Sequence, residues 1–199
     1  MKKQIIVGTD LKVSRIAFGC MNLGKIRGNM NEFENKIEAV KSIIEALELG
    51  INFFDHADIY AEGKSEEVFS EVWNKIPGLR EKIYLQTKCG IRMKGQPDGN
   101  DLGRYDFSYE HIINSVNGSL KRLKTDYIDI LLLHRPDPLV EPDEVAKAFD
   151  ELYESGKVRY FGVSNHSGYQ IDLLKKSVYF PIVVNQLELN IREFTGKCG

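Results

Sequence analysis

Cysteine is scarce in this sequence. Cys20, Cys89 and Cys198 are the three among 199 residues, an odd number with no CxxC or zinc-ligand spacing. That argues against a disulfide framework or a structural metal site and fits the reduced thiols of an intracellular protein. An excess of one charge is lacking too, since 27 Lys and Arg stand against 29 Asp and Glu for a formal net charge of −2. Nucleic-acid binding, which needs a basic patch, is therefore not expected. No apolar run approaches the roughly 20 residues of a membrane-spanning helix. The short run Ile5-Ile6-Val7 after Lys2 and Lys3 is broken by Gly8, Thr9 and Asp10, too soon for a signal peptide. The expected setting is soluble and cytoplasmic, without a membrane partner. Low-complexity linkers are missing as well, so residues 1–199 read as a single domain. A hydrophobic content of 42% is enough to build a core and excludes intrinsic disorder.

What is present is an alternation of short β-like runs with longer helical ones. The short runs fall at 16–19, 51–54, 83–86, 128–133, 160–163 and 182–187. Ile37, Val40, Ile44 and Leu47 mark one helical face, and Gly50 stops that helix. Ser65 reads as the N-cap of a second, with Glu66 and Glu67 in its first turn, Val68, Phe69, Val72 and Trp73 along it, and Pro77 beyond its end. A third runs from Ser108 through Ile112, Ile113, Val116, Leu120 and Leu123. A fourth spans 142–156 with Val145, Ala148, Phe149 and Leu152, and a weaker one follows Ser167. Strands apolar on both faces and separated by helices imply a parallel sheet covered by helices, either open and doubly wound or closed as a barrel. Periodicity alone does not choose between them. Ahead of the first core strand, 3–7 and 11–15 around Gly8-Thr9-Asp10 predict a β-hairpin, suited to plug the bottom of a barrel.

In parallel α/β folds, reactive side chains gather just past the carboxyl ends of strands. Those positions hold Gly19-Cys20-Met21-Asn22, then Asp55-His56-Ala57-Asp58-Ile59-Tyr60, Lys88-Cys89, His134-Arg135-Pro136, Ser164-Asn165 and Asn185-Gln186. Asp55, Tyr60, Lys88 and His134 among them make a proton-transfer group. A tyrosine hydroxyl has a reference pKa of about 10, and a neighbouring ammonium such as Lys88 favours its ionised form. Asp55 can hold that lysine, and His134 can orient or polarise an oxygen. Each residue alone also has an ordinary reading: Tyr60 as a loop aromatic, Asp55 as a cap, Lys88 as a solvated charge, His134 as a core residue. His56, with Asp58 and His134, invites a metal reading. Neighbours on an extended strand point to opposite faces, however, so Asp55 and His56 do not both face the centre, and no metal is expected. Cys20 and Cys89 read as buried or rim thiols, and Trp73 as core. The segment 92–106, rich in Gly and Asp with Pro97, reads either as a substrate-selecting loop over the mouth or as a disordered insertion.

Several of these segments carry a resemblance. Asn52-Phe53-Phe54-Asp55, Ala57-Asp58-Ile59-Tyr60 and Gly63-Lys64-Ser65-Glu66 resemble the second-strand motif of the aldo-keto reductases. Gln86-Thr87-Lys88, Asp126-Tyr127-Ile128-Asp129 through Leu133-His134, Gly156-Lys157-Val158-Arg159 through Gly162-Val163-Ser164-Asn165, and Val184-Asn185-Gln186 follow in the family's order, so the likeness runs over about 13–190. It implies a (β/α)8 TIM barrel and an NADP(H)-dependent oxidoreductase acting on a small-molecule carbonyl or alcohol. The tetrad would be Asp55, Tyr60, Lys88 and His134, with Tyr60 as proton donor. By the same implication Ser164, Asn165 and Gln186 bind the nicotinamide carboxamide, and the backbone at Gly19, Cys20 and Met21 lines the cofactor site alongside Asp55. The lack of a GxGxxG after the first strand speaks against a Rossmann fold and for the barrel.

Barrels of this class typically need about 250 residues, and six strands can be counted here. Residues 191–199 do not continue the family's pattern. The expectation is a truncated or frame-shifted chain of about six βα units, without the last two and without the elements that grip the adenosine phosphates. Such a chain is expected to bind NADPH weakly and to self-associate through open sheet edges. Two other classes remain in view: a non-catalytic cofactor-binding or regulatory module, and a metal-assisted hydrolase.

Overall fold

The computed structural model describes residues 1–26 and 28–190; the reading made above of 191–199 lies outside them. The chain opens with the expected hairpin, β1 (Lys3–Ile5) against β2 (Lys12–Ser14), antiparallel with Lys3 opposite Ser14. Gly8, at φ +81, supplies the left-handed turn between them. Then follow β3 (Phe18–Gly19), α1 (Glu32–Glu48), β4 (Phe53–Asp55), α2 (Lys64–Ser70), β5 (Tyr84–Cys89), β6 (Ile91–Arg92) and β7 (Arg104–Tyr105). The rest is α3 (Tyr109–Leu123), β8 (Ile128–Leu133), α4 (Pro142–Glu154), β9 (Val158–Ser164), α5 (Gly168–Leu174) and β10 (Ile182–Gln186).

Helix starts follow local chemistry. Asn31 and Glu34 form a capping box on α1, Ser108 caps α3, Pro142 occupies the first turn of α4, and Ser167 with Gln170 boxes α5. Two details differ from the sequence reading. On α1 the buried stripe is Ala39, Val40, Ile43 and Ala46, while Ile37 is half exposed. The alanines, lacking bulk, let the helix approach its neighbours closely, which rotates the buried face away from Ile37. Ser65 is not a cap: α2 starts after Gly63, and the buried Ser65 hydroxyl accepts from the Gly24 amide and donates to the Met21 carbonyl. That helix is also short, passing into a 3-10 turn over Glu71–Asn74.

The sheet order β10-β9-β8-β5-β4-β3 answers the question that periodicity left open. All five pairings are parallel, and with the β6–β7 excursion set aside each strand lies next to its predecessor in the chain. A doubly wound sheet would reverse its order at a switch point; the staves of a barrel run on in sequence. Six such staves are present among the described residues, with β3 and β10 at the two ends.

Alternation along the strands divides the core in two. Leu131, Leu133, Phe161 and Val163 face outward to α3 and α4, whereas Ile130 and Leu132 face inward with Phe53, Tyr84, Tyr160, Val183 and Val184. Strand β8 is buried along its whole length, which is why its sequence is nearly all apolar. Gly162 sits on the inner face, where a Cβ would lie 2.6 Å from both Leu132 Cδ2 and the Val184 carbonyl oxygen.

The hairpin closes the amino-terminal end of this interior. Leu11 and Val13 are buried against Ile130 and Leu132, each contributing about 2 kcal/mol by leaving water. The Ser14 amide donates to Asn52 Oδ1 at 2.6 Å, and Asp10 pairs with Arg159 at 2.7 Å. Arg159 in turn reaches Asp129 at 2.8 Å, and Arg80 meets the same carboxylate at 2.9 Å.

Segment 92–106 is a loop, the first of its two readings, with 93–103 connecting two short paired strands. Its ends pair as β6 and β7, with Ile91 opposite Tyr105, and Arg92 forms an ion pair with Asp106. Among the described residues no helix is long and apolar enough to cross a membrane.

Candidate active site

The period of two decides which side chains reach the carboxyl-terminal end of the interior. On β5, Tyr84, Gln86 and Lys88 share the inner face, and Leu85, Thr87 and Cys89 point out. Lys88 is therefore not a solvated surface charge: it is 2% exposed. Its Nζ donates to Asp55 Oδ1 at 2.7 Å, to the His56 carbonyl at 2.7 Å and to Tyr60 Oη at 3.0 Å. An ammonium has three hydrogens and no acceptor, so these contacts use all of them. Because Tyr60 Oη accepts from Lys88, its own hydrogen is turned elsewhere.

Asp55, at the end of β4, accepts from Gln86 Nε2 at 2.7 Å and Lys88 on one oxygen, and from Gln186 Nε2 at 3.0 Å on the other. These contacts join β4, β5 and β10. Gln86 was missed in the sequence reading, although it shares the parity of Lys88 and lies two residues before it. His134 follows β8 and stands edge-on to Tyr60, ring centroids 5.9 Å apart. Burial, with the charges of Lys88 and Arg135, lowers its pKa to about 4, so its imidazole is neutral at pH 7. Its Nδ1 is buried without a hydrogen-bond partner.

His56 goes the other way. It is fully buried, packs edge-on against Phe69 at 4.6 Å on the outer side of the strand, and burial drives its pKa down to about 3. Asp58 also turns out of the barrel, toward Ser115 on α3, and burial raises its pKa to about 7. The two residues that invited a metal reading thus lie away from Asp55 and His134. Cys20 and Cys89 are free and buried rather than at a rim, and burial holds both thiols well above the ordinary range. Cys198 lies outside the described residues.

The remaining expected residues sit on strand ends around this network. Ser164 Oγ donates to the Gln186 carbonyl at 3.1 Å and accepts from Asn165 Nδ2 at 3.1 Å. Asn165 is held at φ +57, with its Oδ1 accepting from the Glu188 amide at 3.0 Å. Gly19 lies opposite Asp55 in register, and the Cys20 amide donates to the Asp55 carbonyl at 2.9 Å. Gly19 and Met21 are exposed. A Cβ at Gly19 would meet nothing within 4 Å, so its backbone is open to approach. Trp73, read as core, packs on Phe69 and donates its indole N–H to the Leu123 carbonyl at 2.7 Å.

Barrel-type staves with an Asp, a Tyr and a Lys joined at their carboxyl ends define a class in which a proton can be handed to an oxygen above the sheet. Comparison with known proteins narrows that class. The model of the aldo/keto reductase family matches residues 15–195, and the chain belongs to that family. It is 42% identical over 193 residues to the uncharacterized oxidoreductase YcsN of Bacillus subtilis, covering 96% of this chain and 62% of that protein. It is 37% identical over 191 residues to a 6-dehydroglucose reductase of Agrobacterium fabrum, covering 95% and 62%. Among solved structures it is similar to the holo form of the aldo-keto reductase AKR11C1 of Bacillus halodurans, with TM-score 0.79 and 35% identity over 95% of this chain and 58% of that one. The chain thus spans about three fifths of the length of these relatives. The neighbouring structures have the TIM-barrel fold, and members of the family bind nicotinamide cofactors.

Proposed function

We propose that this chain carries the proton-transfer centre of an NADP(H)-dependent oxidoreductase that interconverts an aldehyde or ketone with its alcohol. The observation that carries the reading is the buried Lys88, which donates at once to Asp55 at 2.7 Å and to Tyr60 Oη at 3.0 Å.

In the reducing direction Tyr60 gives its phenolic proton to the carbonyl oxygen. The Lys88 ammonium, already bonded to the phenol oxygen, stabilises the charge left there. Asp55 holds Lys88 in line and is itself fixed by Gln86 and Gln186. His134, neutral at pH 7, offers an N–H to the same carbonyl oxygen and polarises it. The hydride would be supplied, or taken up in the oxidising direction, by a nicotinamide held at these strand ends. The amide and hydroxyl groups of Ser164, Asn165 and Gln186, on adjoining strand ends, match the donors and acceptors of a carboxamide. The open backbone at Gly19 and the exposed Met21 leave the end of β3 accessible beside Asp55, so the residues present fit the nicotinamide half of the cofactor.

The test is turnover and binding in Tyr60→Phe, with NADPH and NADH titrated by fluorescence. A carbonyl panel should include 6-dehydroglucose, the compound named for the Agrobacterium relative. Cofactor affinity is expected to match wild type while kcat falls by about 10²–10⁴. Equal turnover in Tyr60→Phe would remove Tyr60 from the reaction. Cofactor binding by a wild type that turns over no carbonyl would favour a binding module.

A further inference from the structure

On the outer face of β5, behind the site, lies a second buried polar cluster that the proton transfer does not use. Glu66, in the first turn of α2, is fully buried. Its Oε1 accepts from Thr87 Oγ1 at 2.8 Å, and its Oε2 accepts from Arg122 Nε and Nη2, both at 2.8 Å. Arg122 Nη2 also donates to Ser119 Oγ at 3.2 Å. The arginine stem fills the place beside Gly63, where a Cβ would lie 2.8 Å from Arg122 Cδ and 2.9 Å from its Nε. Gly63, at φ +88, closes a run of three left-handed residues that begins directly after Tyr60, with Ala61 at φ +49 and Glu62 at φ +57. Two of the three are not glycine, and such backbone persists only where its surroundings over-determine it.

Thr87 precedes Lys88 on β5 and points to the opposite face. One carboxylate is thus tied on one side to the strand that aims Lys88, and on the other, through Arg122, to the turn that aims Tyr60. Burying a charge is costly unless it is paired and hydrogen-bonded, and apolar residues of similar volume often pack as well or better. Packing alone does not call for this arrangement. The cluster instead fixes two backbones relative to each other, and their side chains make the central contact of the site.

We propose that Glu66 is a positioning residue that acts through Thr87 and Arg122 to set the contact between Lys88 Nζ and Tyr60 Oη. Its effect on rate rests on the reductase reading; the geometry it sets does not. Misplacing a reacting group by 1 Å can cost about 100-fold in rate.

Thr87→Val removes the hydroxyl and keeps the shape, Thr87→Ser restores the hydroxyl, and Glu66→Gln removes the charge. With tyrosine labelled by carbon-13 at Cζ, the Tyr60 resonance is the one lost in Tyr60→Phe. It is expected to move in Thr87→Val and Glu66→Gln and to return to its wild-type position in Thr87→Ser. In parallel, kcat should fall about 10- to 100-fold in the first two variants and recover in Thr87→Ser, with KM held within about twofold. An unmoved Tyr60 resonance in both variants, or a raised KM with kcat intact, would overturn the proposal. If wild type reduces no carbonyl, the reductase reading fails alone, and the resonance still decides the role of Glu66. Should Glu66→Gln fail to fold, the Thr87→Val and Thr87→Ser pair decides.

Discussion

The two ends of the sheet hold buried ionic networks of opposite character. At the amino end, Asp129 receives Arg80, Arg159 and the Leu85 amide, and Arg159 continues to Asp10 on the hairpin. At the carboxyl end, Asp55 receives Lys88, Gln86 and Gln186, and Lys88 continues to Tyr60. Both join several strands through one carboxylate. The difference lies in the cation and what it touches next. A guanidinium stays protonated and spreads its donors in a rigid fork, which suits a tie. An ammonium bonded to a phenol can stabilise a proton's departure, which suits a reaction. The same device, a carboxylate gripping a cation, thus fastens the fold at one end and readies a hydroxyl at the other.

The largest effect that would sharpen this contrast is on rate. Lys88→Met is expected to lower kcat by about 10²–10⁴, with a smaller effect on the melting temperature, because Asp55 keeps both glutamine partners. Arg80→Met should do the reverse. Asp129 would keep Arg159 and the Leu85 amide, but the change also removes the bonds from Arg80 to Thr125 Oγ1 and to the Ile83 and Tyr127 carbonyls. At about 1 kcal/mol for each bond lost this is roughly 10 °C in melting temperature for a chain of this size, with turnover of the folded fraction unchanged. If Arg80→Met lowered kcat as far as Lys88→Met, the division of labour between the ends would be wrong.

The smallest effect is on pH dependence, and it too belongs to one end. The sequence has four histidines. His56, His134 and His166 follow β4, β8 and β9 at their carboxyl ends, and His111 lies in the first turn of α3. Burial lowers the pKa of all four, to about 3 for His56 and about 4 for His111 and His134. Below the ordinary histidine value of about 6.5 the unfolded chain takes up protons that the folded chain refuses, so stability is present above that pH and is lost as pH falls toward 4. Asp58 opposes this. Its pKa, raised to about 7, gives a contribution present at low pH and lost as pH rises through 7. Four groups outweigh one. Lowering the pH from 7 to 6 is expected to reduce unfolding free energy by about 1 kcal/mol, seen as a lower urea midpoint. A midpoint that rises would show that the histidines do not titrate as buried groups.

Much of this was legible in the sequence because the signal was local. Strand β8 was bounded correctly by its apolar run, and the caps at Ser108 and Ser167 by their residue types. Reading strand ends in order gave Asp55, Lys88 and His134, because position at a strand's end and parity along it suffice to place them. Glu66 was read as a first-turn charge, since nothing local says that Arg122, 56 residues on, will bury it. Ser65 was read as a cap for the same reason; its partners Met21 and Gly24 come from the loop after β3. The β6–β7 pairing was hidden because each strand is only two residues long, too short for alternation to register. Ile37 was placed inward because periodicity fixes the angle between residues but not which flank of an apolar stripe meets a neighbour.

The hairpin at the amino end also sets an order of events in time. Leu11 and Val13 pack on Ile130 and Leu132, and Asp10 pairs with Arg159, so the hairpin waits for partners more than a hundred positions later. Long-range contacts of this kind close slowly, because the chain between them must be ordered before they are rewarded. Phe53 and Tyr84 cover part of the hairpin's apolar face earlier, but until β8 and β9 have been made that face lacks Ile130, Leu132 and Tyr160. The hairpin's full set of contacts is thus among the last to form.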